Sequence, residues 1–347
     1  MRAPPVTPHR LPAMIQARSV LAGVCVAVAG MSLAASSLSV HKTQALFPSV
    51  TPATAPPAAA RFPLHPHGSP TSLPSGRQCE RRVSRSTWEP RPDNYGPNHH
   101  MPDPNAVRRS FASRPRSGLG TYDRRWDTWM LPRVDGQFTG TTDEIIQWSA
   151  CKWGLSDNML RAVLVRESTW YQYQIYPSGR CVPQWGCGDF FTDEPYSARS
   201  EFCAELARFG RDYQNDYGPG RCPKTFSIAG VMAWSSPDWG FAWPGNQNGT
   251  FPFSRDSTAF AVDYLAGELR GCYEGWKWWL HDRPGDIWGC VGAWYAGDWR
   301  SPEAETYMTF VRQTMRSRTW LRRDWSSVQP PCDATYGCPS APWALDS

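Results

Sequence analysis

Ten of the 11 cysteines lie beyond residue 78, and this even set constrains the fold more than any other feature of the chain. An even number of cysteines in an exported chain is typical of disulfides. Zinc binding is the alternative, but there is no C-x-x-C pair and no histidine at ligand spacing from a cysteine pair. Local loops are predicted for Cys181 with Cys187 and for Cys332 with Cys338, whereas the other pairings do not follow from the sequence. The remaining members of the set are Cys79, Cys151, Cys203, Cys222, Cys272 and Cys290.

The N-terminal residues 1–40 predict export. Three arginines precede an apolar run from Val20 to Leu38, and small residues lie near the end of that run. The favoured interpretation is a cleaved signal peptide. Because the run approaches the ~20 residues that span a bilayer, a retained signal-anchor is the alternative. Cys25 lies within the run and is treated as part of it.

The segment from His41 to about Arg133 is predicted to be a weakly ordered linker. Residues 51–74 are rich in Pro, Ala and Ser and have few large apolar side chains with which to bury a core. From Arg77 to Arg125, arginines alternate with Pro, Ser and isolated aromatics. The favoured interpretation of this arm is a solvated tail, and adhesion to an anionic polymer is the alternative. The net charge of +5 is too small to favour nucleic-acid binding.

Apolar residues recur at helical spacing from about Thr141 onward, which predicts a mainly α domain over residues 134–323. Thr141 and Glu144 fit a capping box for its first helix, and Gly154 ends that helix. A second helix begins at Ser156. No strand-period run of any length and no internal repeat is present, and residues 324–347 form a short tail. Further helices are predicted from Ala198 to Phe209, from Asp256 to Glu274, from Asp286 to Ala296 and from Ser301 to about Trp320.

Glu167 is the candidate catalytic residue because it lies on the apolar face of the second helix. It follows Leu160, Val163 and Leu164 at helical spacing. Burial and the negative end of the helix dipole should both raise the pKa of a carboxyl group there. A carboxyl that stays protonated near neutral pH can act as a general acid. A structural glutamate paired with an arginine is the alternative, and periodicity does not decide between the two.

The segment Leu164–Trp170 reads Leu-Val-Arg-Glu-Ser-Thr-Trp, and it resembles the catalytic motif of the lytic transglycosylase and goose-type lysozyme superfamily. In that motif a helix ends in Glu-Ser and the Glu is the catalytic acid. Residues 226–232 resemble the second motif of the family, and residues 292–297 resemble the third, commonly Ala-Tyr-Asn-Ala-Gly. Residues 249–260 and 285–290 are similar to a secreted, disulfide-bearing branch. The resemblance spans residues 141–320 and implies a lysozyme-like fold.

The resemblance also implies a set of substrate-binding residues, with some departures from the family pattern. Ala233 stands where a Gln usually follows the Met of the second motif. Trp294 and Tyr295 stand where Tyr and Asn are usual, and a Tyr there often hydrogen-bonds the catalytic Glu. For Ser168, local capping of the backbone is an equal alternative. The implied substrate-binding residues are Ser168, Ser227, Met232, Trp234, Trp294 and Tyr295.

The activity that the resemblance implies is cleavage of the β-1,4 bond between N-acetylmuramic acid and N-acetylglucosamine in peptidoglycan. Glu167 would act first as acid and then as base, while the C6 hydroxyl closes a 1,6-anhydro ring. Neither a second catalytic carboxylate nor a cofactor or metal is implied. The implied partners are glycan strands, with anionic wall polymers possible for the arginine-rich arm and no nucleic acid. The protein would be secreted or associated with the cell envelope.

Three alternatives remain open from the sequence. A loop carboxylate (Asp189, Asp193 or Glu194) could position a water and make the protein a hydrolytic lysozyme, although loop solubility is the favoured role for these residues. The altered motifs permit a wall-binding protein without activity. Chitin is a third possible substrate, because it shares the N-acetylated backbone. In each case aromatic cleft walls are expected, and the candidates are Trp170, Trp185, Trp234 and Trp239.

Overall fold

Helices form nearly all of the regular structure in the computed structural model of the protein, as the periodicity predicted. The structure describes residues 61–113, 123–172, 196–208, 212–233, 249–281 and 283–328, which belong to one unit, Thr51–Ser347. Within these residues a single short hairpin is present, made of β1 (Thr225–Phe226) and β2 (Val231–Met232). Its strands are antiparallel, and Phe226 pairs with Val231.

The helices are numbered in chain order. Those of the N-terminal segment are α1 (Gly76–Glu80), α2 (Tyr95–Asn98), α3 (Pro104–Ser113) and α4 (Leu131–Arg133), the last preceded by a π-helical turn, Trp126–Met130. Those of the predicted domain are α5 (Thr142–Trp153), α6 (Asp157–Ser168), α7 (Tyr196–Ala207), α8 (Tyr213–Tyr217), α9 (Phe253–Asp256), α10 (Thr258–Tyr273), α11 (Ile287–Ala296) and α12 (Pro302–Ser317). Helix α7 starts and ends two residues earlier than predicted, and the other predicted helices lie within their predicted ranges.

The helix ends lie where the sequence has capping residues. The Thr141 hydroxyl accepts a hydrogen bond from the Glu144 N–H at 3.3 Å, and the Glu144 carboxylate accepts one from the Thr141 N–H at 3.0 Å. Gly154 follows α5 in the left-handed region with φ 62°. At the start of α6, the Ser156 hydroxyl accepts the Met159 N–H at 3.3 Å, without a reciprocal side-chain bond. These local bonds explain why both ends of α5 and the start of α6 could be predicted.

Helix α10 lies at the centre of the core, and every one of its residues is buried. Helix α5 packs against both α10 and α6, and α6 packs against α12. Helix α11 packs against α10 and α12. The C-terminal end of α6, which carries Glu167, is therefore placed next to α12.

The structure differs from the predicted weak order over residues 61–113 and 123–133. Trp88, Trp126 and Met130 are at most 8% exposed and belong to the main hydrophobic core. The segment has few apolar residues on average, which is why its composition predicted a linker. These isolated apolar residues, however, pack into the core of the helical domain. The predicted boundary at residue 134 therefore divides one folded unit.

The predicted C-terminal tail also begins inside the fold. Trp325 is 1% exposed, and its ring meets that of Trp170 edge-on with 5.6 Å between centroids. Residues 329–347 lie outside the described part of the chain.

Three disulfides are present among the described residues, and they join Cys79 to Cys151, Cys203 to Cys222 and Cys272 to Cys290. This confirms the prediction of disulfides for these six cysteines, and such bonds are typical of proteins that mature in an oxidising compartment. The loops predicted for Cys181 with Cys187 and for Cys332 with Cys338 lie outside the described residues, as does the N-terminal segment 1–40. In the part of the chain that is described, no helix has the length and apolarity needed to cross a membrane.

A chain that begins at residue 134 should lose the cooperative unfolding transition that a chain beginning at residue 61 shows. The shorter chain lacks Trp88, Trp126 and half of the Cys79–Cys151 disulfide. Loss of a buried tryptophan side chain typically costs about 3–5 kcal/mol, and a whole domain is stable by only about 5–15 kcal/mol. Thermal unfolding followed by near-ultraviolet circular dichroism measures this. Equal midpoints for the two chains would show that the N-terminal segment is dispensable for folding.

Candidate functional site

Glu167 is the second-last residue of α6 and is half-buried. The face on which it was predicted to lie is the core face, because Leu160, Val163 and Leu164 are all 0% exposed. Glu167 itself is less buried because the helix ends at Ser168, one residue later. Its carboxyl group therefore lies at the rim of the core.

The partner of Glu167 is Tyr307 on α12, whose hydroxyl donates a hydrogen bond to Glu167 Oε1. Tyr307 is 3% exposed. Burial and the nearby negative charge of Glu167 raise the pKa of the Tyr307 phenol well above its usual value. The phenol therefore keeps its proton throughout the physiological pH range and remains a fixed donor to one carboxyl oxygen.

Tyr307 was not identified from the sequence, which pointed to the third motif for this role. Tyr295 of that motif does not replace it but stacks on it, with 4.6 Å between ring centroids and 5° between ring planes. Tyr295 is 61% exposed. The half-buried Trp294 packs against the main core. The third motif thus contributes an exposed aromatic surface beside the Glu167–Tyr307 pair.

The β1–β2 hairpin turn forms the other side of the site. Gly230 in this turn has φ 62°, and a Cβ atom built on it would lie 3.0 Å from Glu167 Oε2. The backbone of the turn therefore approaches the second carboxyl oxygen as closely as only glycine permits. Glu167 is held between Tyr307 on α12 and Gly230 on the hairpin.

Two serines predicted to bind substrate hold this hairpin turn instead. Ser168 is 0% exposed, and its hydroxyl donates to the Ile228 carbonyl oxygen at 2.8 Å. Ser227 is 2% exposed, and its hydroxyl accepts the Ala229 N–H at 3.4 Å. Both side chains are buried and bond the backbone of the turn. Met232, on β2, is half-buried and closer to solvent than the two serines.

The amide expected from the second motif is absent because residue 233 is an alanine. Ala233 is 0% exposed and packs in a second hydrophobic cluster with Phe226 and Phe251. A buried amide is instead present at Gln172. Its side chain accepts the Ile228 N–H at 3.1 Å and donates to the Ser254 carbonyl oxygen at 2.8 Å. This amide holds the hairpin turn and α9 in place.

Trp170 does not line a cleft. It is 0% exposed, and its indole N–H donates to the Arg161 carbonyl oxygen at 3.0 Å. The remaining aromatic candidates, Trp185, Trp234 and Trp239, lie outside the described residues, as do the loop carboxylates Asp189, Asp193 and Glu194. The described site therefore consists of Glu167, Tyr307, Tyr295 and the Gly230 turn.

Comparison with known proteins gave no match, whether with protein-family models, with curated proteins or with solved structures. Among the described residues, no group of three or more His, Cys, Asp or Glu side chains could hold a metal ion. The function must therefore be inferred from the geometry around Glu167 and from the order of the sequence motifs.

Gly230→Ala should destabilise the protein more than Gly297→Ala does. Both glycines have a positive φ, 62° and 66°, but a Cβ at Gly297 meets no atom within 4 Å. An alanine in the left-handed region costs about 1–2 kcal/mol at either position, and crowding of the Glu167 carboxyl should add about 1 kcal/mol or more at Gly230. Denaturant unfolding measures both losses.

The same pair of substitutions in a Glu167→Ala background provides the control. Without the carboxyl group, the excess cost of Gly230→Ala should vanish, as in a double-mutant cycle. An excess that persists would mean that Glu167 does not lie against the hairpin turn.

Proposed function

We propose that the protein cleaves the β-1,4 bond between N-acetylmuramic acid and N-acetylglucosamine in peptidoglycan, with Glu167 as general acid and base. The observation that carries this proposal is the arrangement of Glu167, whose two carboxyl oxygens meet different partners. One oxygen accepts a hydrogen bond from the buried Tyr307, and the other faces Gly230. The ordered motifs in the sequence suggest the substrate.

The geometry of Glu167 suits proton transfer, because a general acid must present its proton in a fixed direction. Tyr307 fixes Oε1 and thereby the direction of the carboxyl group that would carry the proton to the glycosidic oxygen. As the glycosidic bond breaks, the proton moves to the leaving sugar and Glu167 becomes a carboxylate. The Tyr307 hydroxyl stabilises that negative charge by a charge-assisted hydrogen bond.

The second half of the reaction returns the proton to Glu167. In the transglycosylase that we favour, the C6 hydroxyl of the muramic sugar attacks the anomeric carbon and gives its proton to the Glu167 carboxylate. In the hydrolytic alternative, water supplies the same proton. The proton balance is identical, so Glu167 and Tyr307 serve both reactions and only the products differ.

Tyr295 provides a surface for the sugar in this proposal. Its exposed ring is held flat by the buried ring of Tyr307, so it loses little freedom when a pyranose stacks on it. The third motif of the family usually has Asn at this position, so Tyr295 is a departure that enlarges the apolar floor beside Glu167.

The three disulfides support a protein that acts outside the cytoplasm, and we propose that it is secreted or bound to the cell envelope. A cell-wall-binding protein without activity is the second candidate. The observation that favours it is Ala233, which leaves the second motif without its usual amide.

Glu167→Gln should abolish cleavage of purified peptidoglycan and leave binding to it unchanged, because the amide keeps the size of the carboxyl but cannot transfer the proton. Loss of a general acid typically lowers the rate by about 10²–10⁴-fold. Mass spectrometry of the released fragments measures cleavage and also separates the two reactions. Anhydro-muramyl ends identify a transglycosylase, and reducing ends identify a hydrolase. If the wild type and the variant both bind walls and neither releases fragments, the protein is a binding protein.

Tyr307→Phe should lower kcat by about 10–100-fold, because it removes the donor that stabilises the Glu167 carboxylate. Tyr295→Phe is the matched control, since it keeps the stacked ring and removes a hydroxyl that does not bond Glu167. We expect the control to retain kcat within about twofold. Steady-state kinetics on soluble muramyl oligosaccharides measures both. Equal kcat for the two variants would remove Tyr307 from the mechanism.

A further inference from the structure

Residues 85–98 form a strap that runs from α5 to the end of α6. Its first part is fixed to the N-terminal turn of α5. The Ser86 N–H donates to Glu144 Oε1 at 2.7 Å, and Glu89 Oε2 accepts the Thr142 N–H at 2.7 Å. Burial raises the pKa of the Glu89 carboxyl to about 7, and these hydrogen bonds anchor this end of the strap.

Arg91 connects the strap to the turn that follows α6. Its side chain is 0% exposed, and its Nε donates to the Thr169 carbonyl oxygen at 2.8 Å. Its Nη1 donates to the Trp325 carbonyl oxygen at 2.7 Å. The guanidinium also lies over the rings of Tyr171 and Trp325, at 4.6 Å and 4.2 Å from their centroids. Arg91 therefore joins three parts of the chain that are distant in sequence.

Asn94, also 0% exposed, makes the next two bonds to the same turn. Its Nδ2 donates to the Trp170 carbonyl oxygen at 2.7 Å, and its Oδ1 accepts the Gln172 N–H at 2.8 Å. Arg91 and Asn94 thus bind successive backbone groups of the turn, which the α6 helix can no longer satisfy.

The turn needs such support because of its conformation. Thr169 and Trp170 have φ 51° and 70°. A non-glycine residue in the left-handed region is strained and persists only when its surroundings hold it. Without these hydrogen bonds, the turn would relax and the last residues of α6, including Glu167, would change direction.

We propose that the strap is a positioning element of the candidate site, in which Arg91 orients Glu167 by fixing the Thr169–Trp170 turn. This role depends on the proposed function of Glu167 as the proton donor. It assigns a part in the reaction to a segment that contacts neither the substrate nor the carboxyl group itself.

A role in stability alone does not explain the choice of arginine. Burial of a guanidinium is costly, and among the described residues Arg91 Nη2 has no hydrogen-bond partner. An apolar side chain of similar size could fill the space between Tyr171 and Trp325, but it would leave the Thr169 and Trp325 carbonyl oxygens without this donor. What an apolar side chain cannot do is donate to Thr169.

Arg91→Met tests the proposal, because methionine keeps the packing and removes the donor. We expect kcat on soluble muramyl oligosaccharides to fall by about 100-fold, which is the effect of a small displacement of a reacting group. KM should stay within about twofold, since the sugar-binding surface is unchanged. Val107→Ala, at a buried position of α3, is the control for a simple loss of stability and should leave both constants within about twofold at a temperature where the protein is folded.

Two further measurements make the result specific to the turn. Methylguanidinium added to the Arg91→Ala variant should restore its kcat, because it replaces the missing guanidinium group. Sodium chloride at equal ionic strength should not restore it. Native-state hydrogen exchange of the Thr169 and Trp170 amides should become at least about tenfold faster in Arg91→Met relative to other α6 amides, because this turn opens locally. Val107→Ala should not produce this local change.

The outcomes separate the two proposals. If the wild type cleaves peptidoglycan and Arg91→Met has an unchanged kcat, with or without a raised KM, the strap has no positioning role. The proposed function then stands. If the wild type and all variants fail to cleave, the proposed function fails. In that case unchanged exchange at Thr169 and Trp170 would overturn the structural part of the strap proposal, and faster exchange would support it.

Discussion

The geometry of the candidate site depends on one backbone feature, the left-handed turn at Thr169 and Trp170 that ends α6. Two consecutive non-glycine residues with positive φ are not stable by themselves. Hydrogen bonds from Arg91, Asn94 and Gln172 connect this turn to the N-terminal segment, the β1–β2 hairpin and α9. Because Glu167 lies two residues before the turn, its direction is set by residues from distant parts of the chain.

Buried ion pairs fix the other end of α6. Arg161 donates to Asp143 of α5 at 2.7 Å and to Asp157 at 2.9 Å, and all three side chains are nearly inaccessible to solvent. The Asp263 carboxylate of α10 accepts a hydrogen bond from the Lys152 ammonium of α5 at 2.7 Å. Such pairs contribute little net stability, because removing the charges from water costs nearly as much as their attraction returns. Their geometry, however, fixes the register of α5 against α6 and α10, which hydrophobic packing alone would specify less well.

Features of this fold could be predicted from the sequence where they depend on residues close together in the chain, and could not where they depend on distant residues. Both ends of α5 and the start of α6 could be predicted because Thr141, Gly154 and Ser156 bond to residues within a few positions in sequence. The order of residues 61–113 could not, because isolated tryptophans in a polar segment are buried only when a distant core accepts them. Tyr307 shares the apolar stripe of α12 with Met308 and Val311, and nothing in the sequence distinguishes it from a core tyrosine. The hydroxyls of Ser168 and Ser227 matched motif positions, but only the three-dimensional structure reveals that both are buried.

The strap also makes the site depend on a covalent bond that lies far from it. Cys79, just before the strap, is joined to Cys151 near the end of α5, across a separation of 72 residues. A disulfide that closes a loop of this length destabilises the unfolded chain by about 4 kcal/mol, so it opposes detachment of the strap from α5. Before this bond forms, the strap is held only by its hydrogen bonds and by the packing of Trp88 and Arg91, and the turn beneath it is easier to open. Since disulfides form in oxidising compartments, the strap gains this support for the Glu167 turn only where the Cys79–Cys151 bond can form.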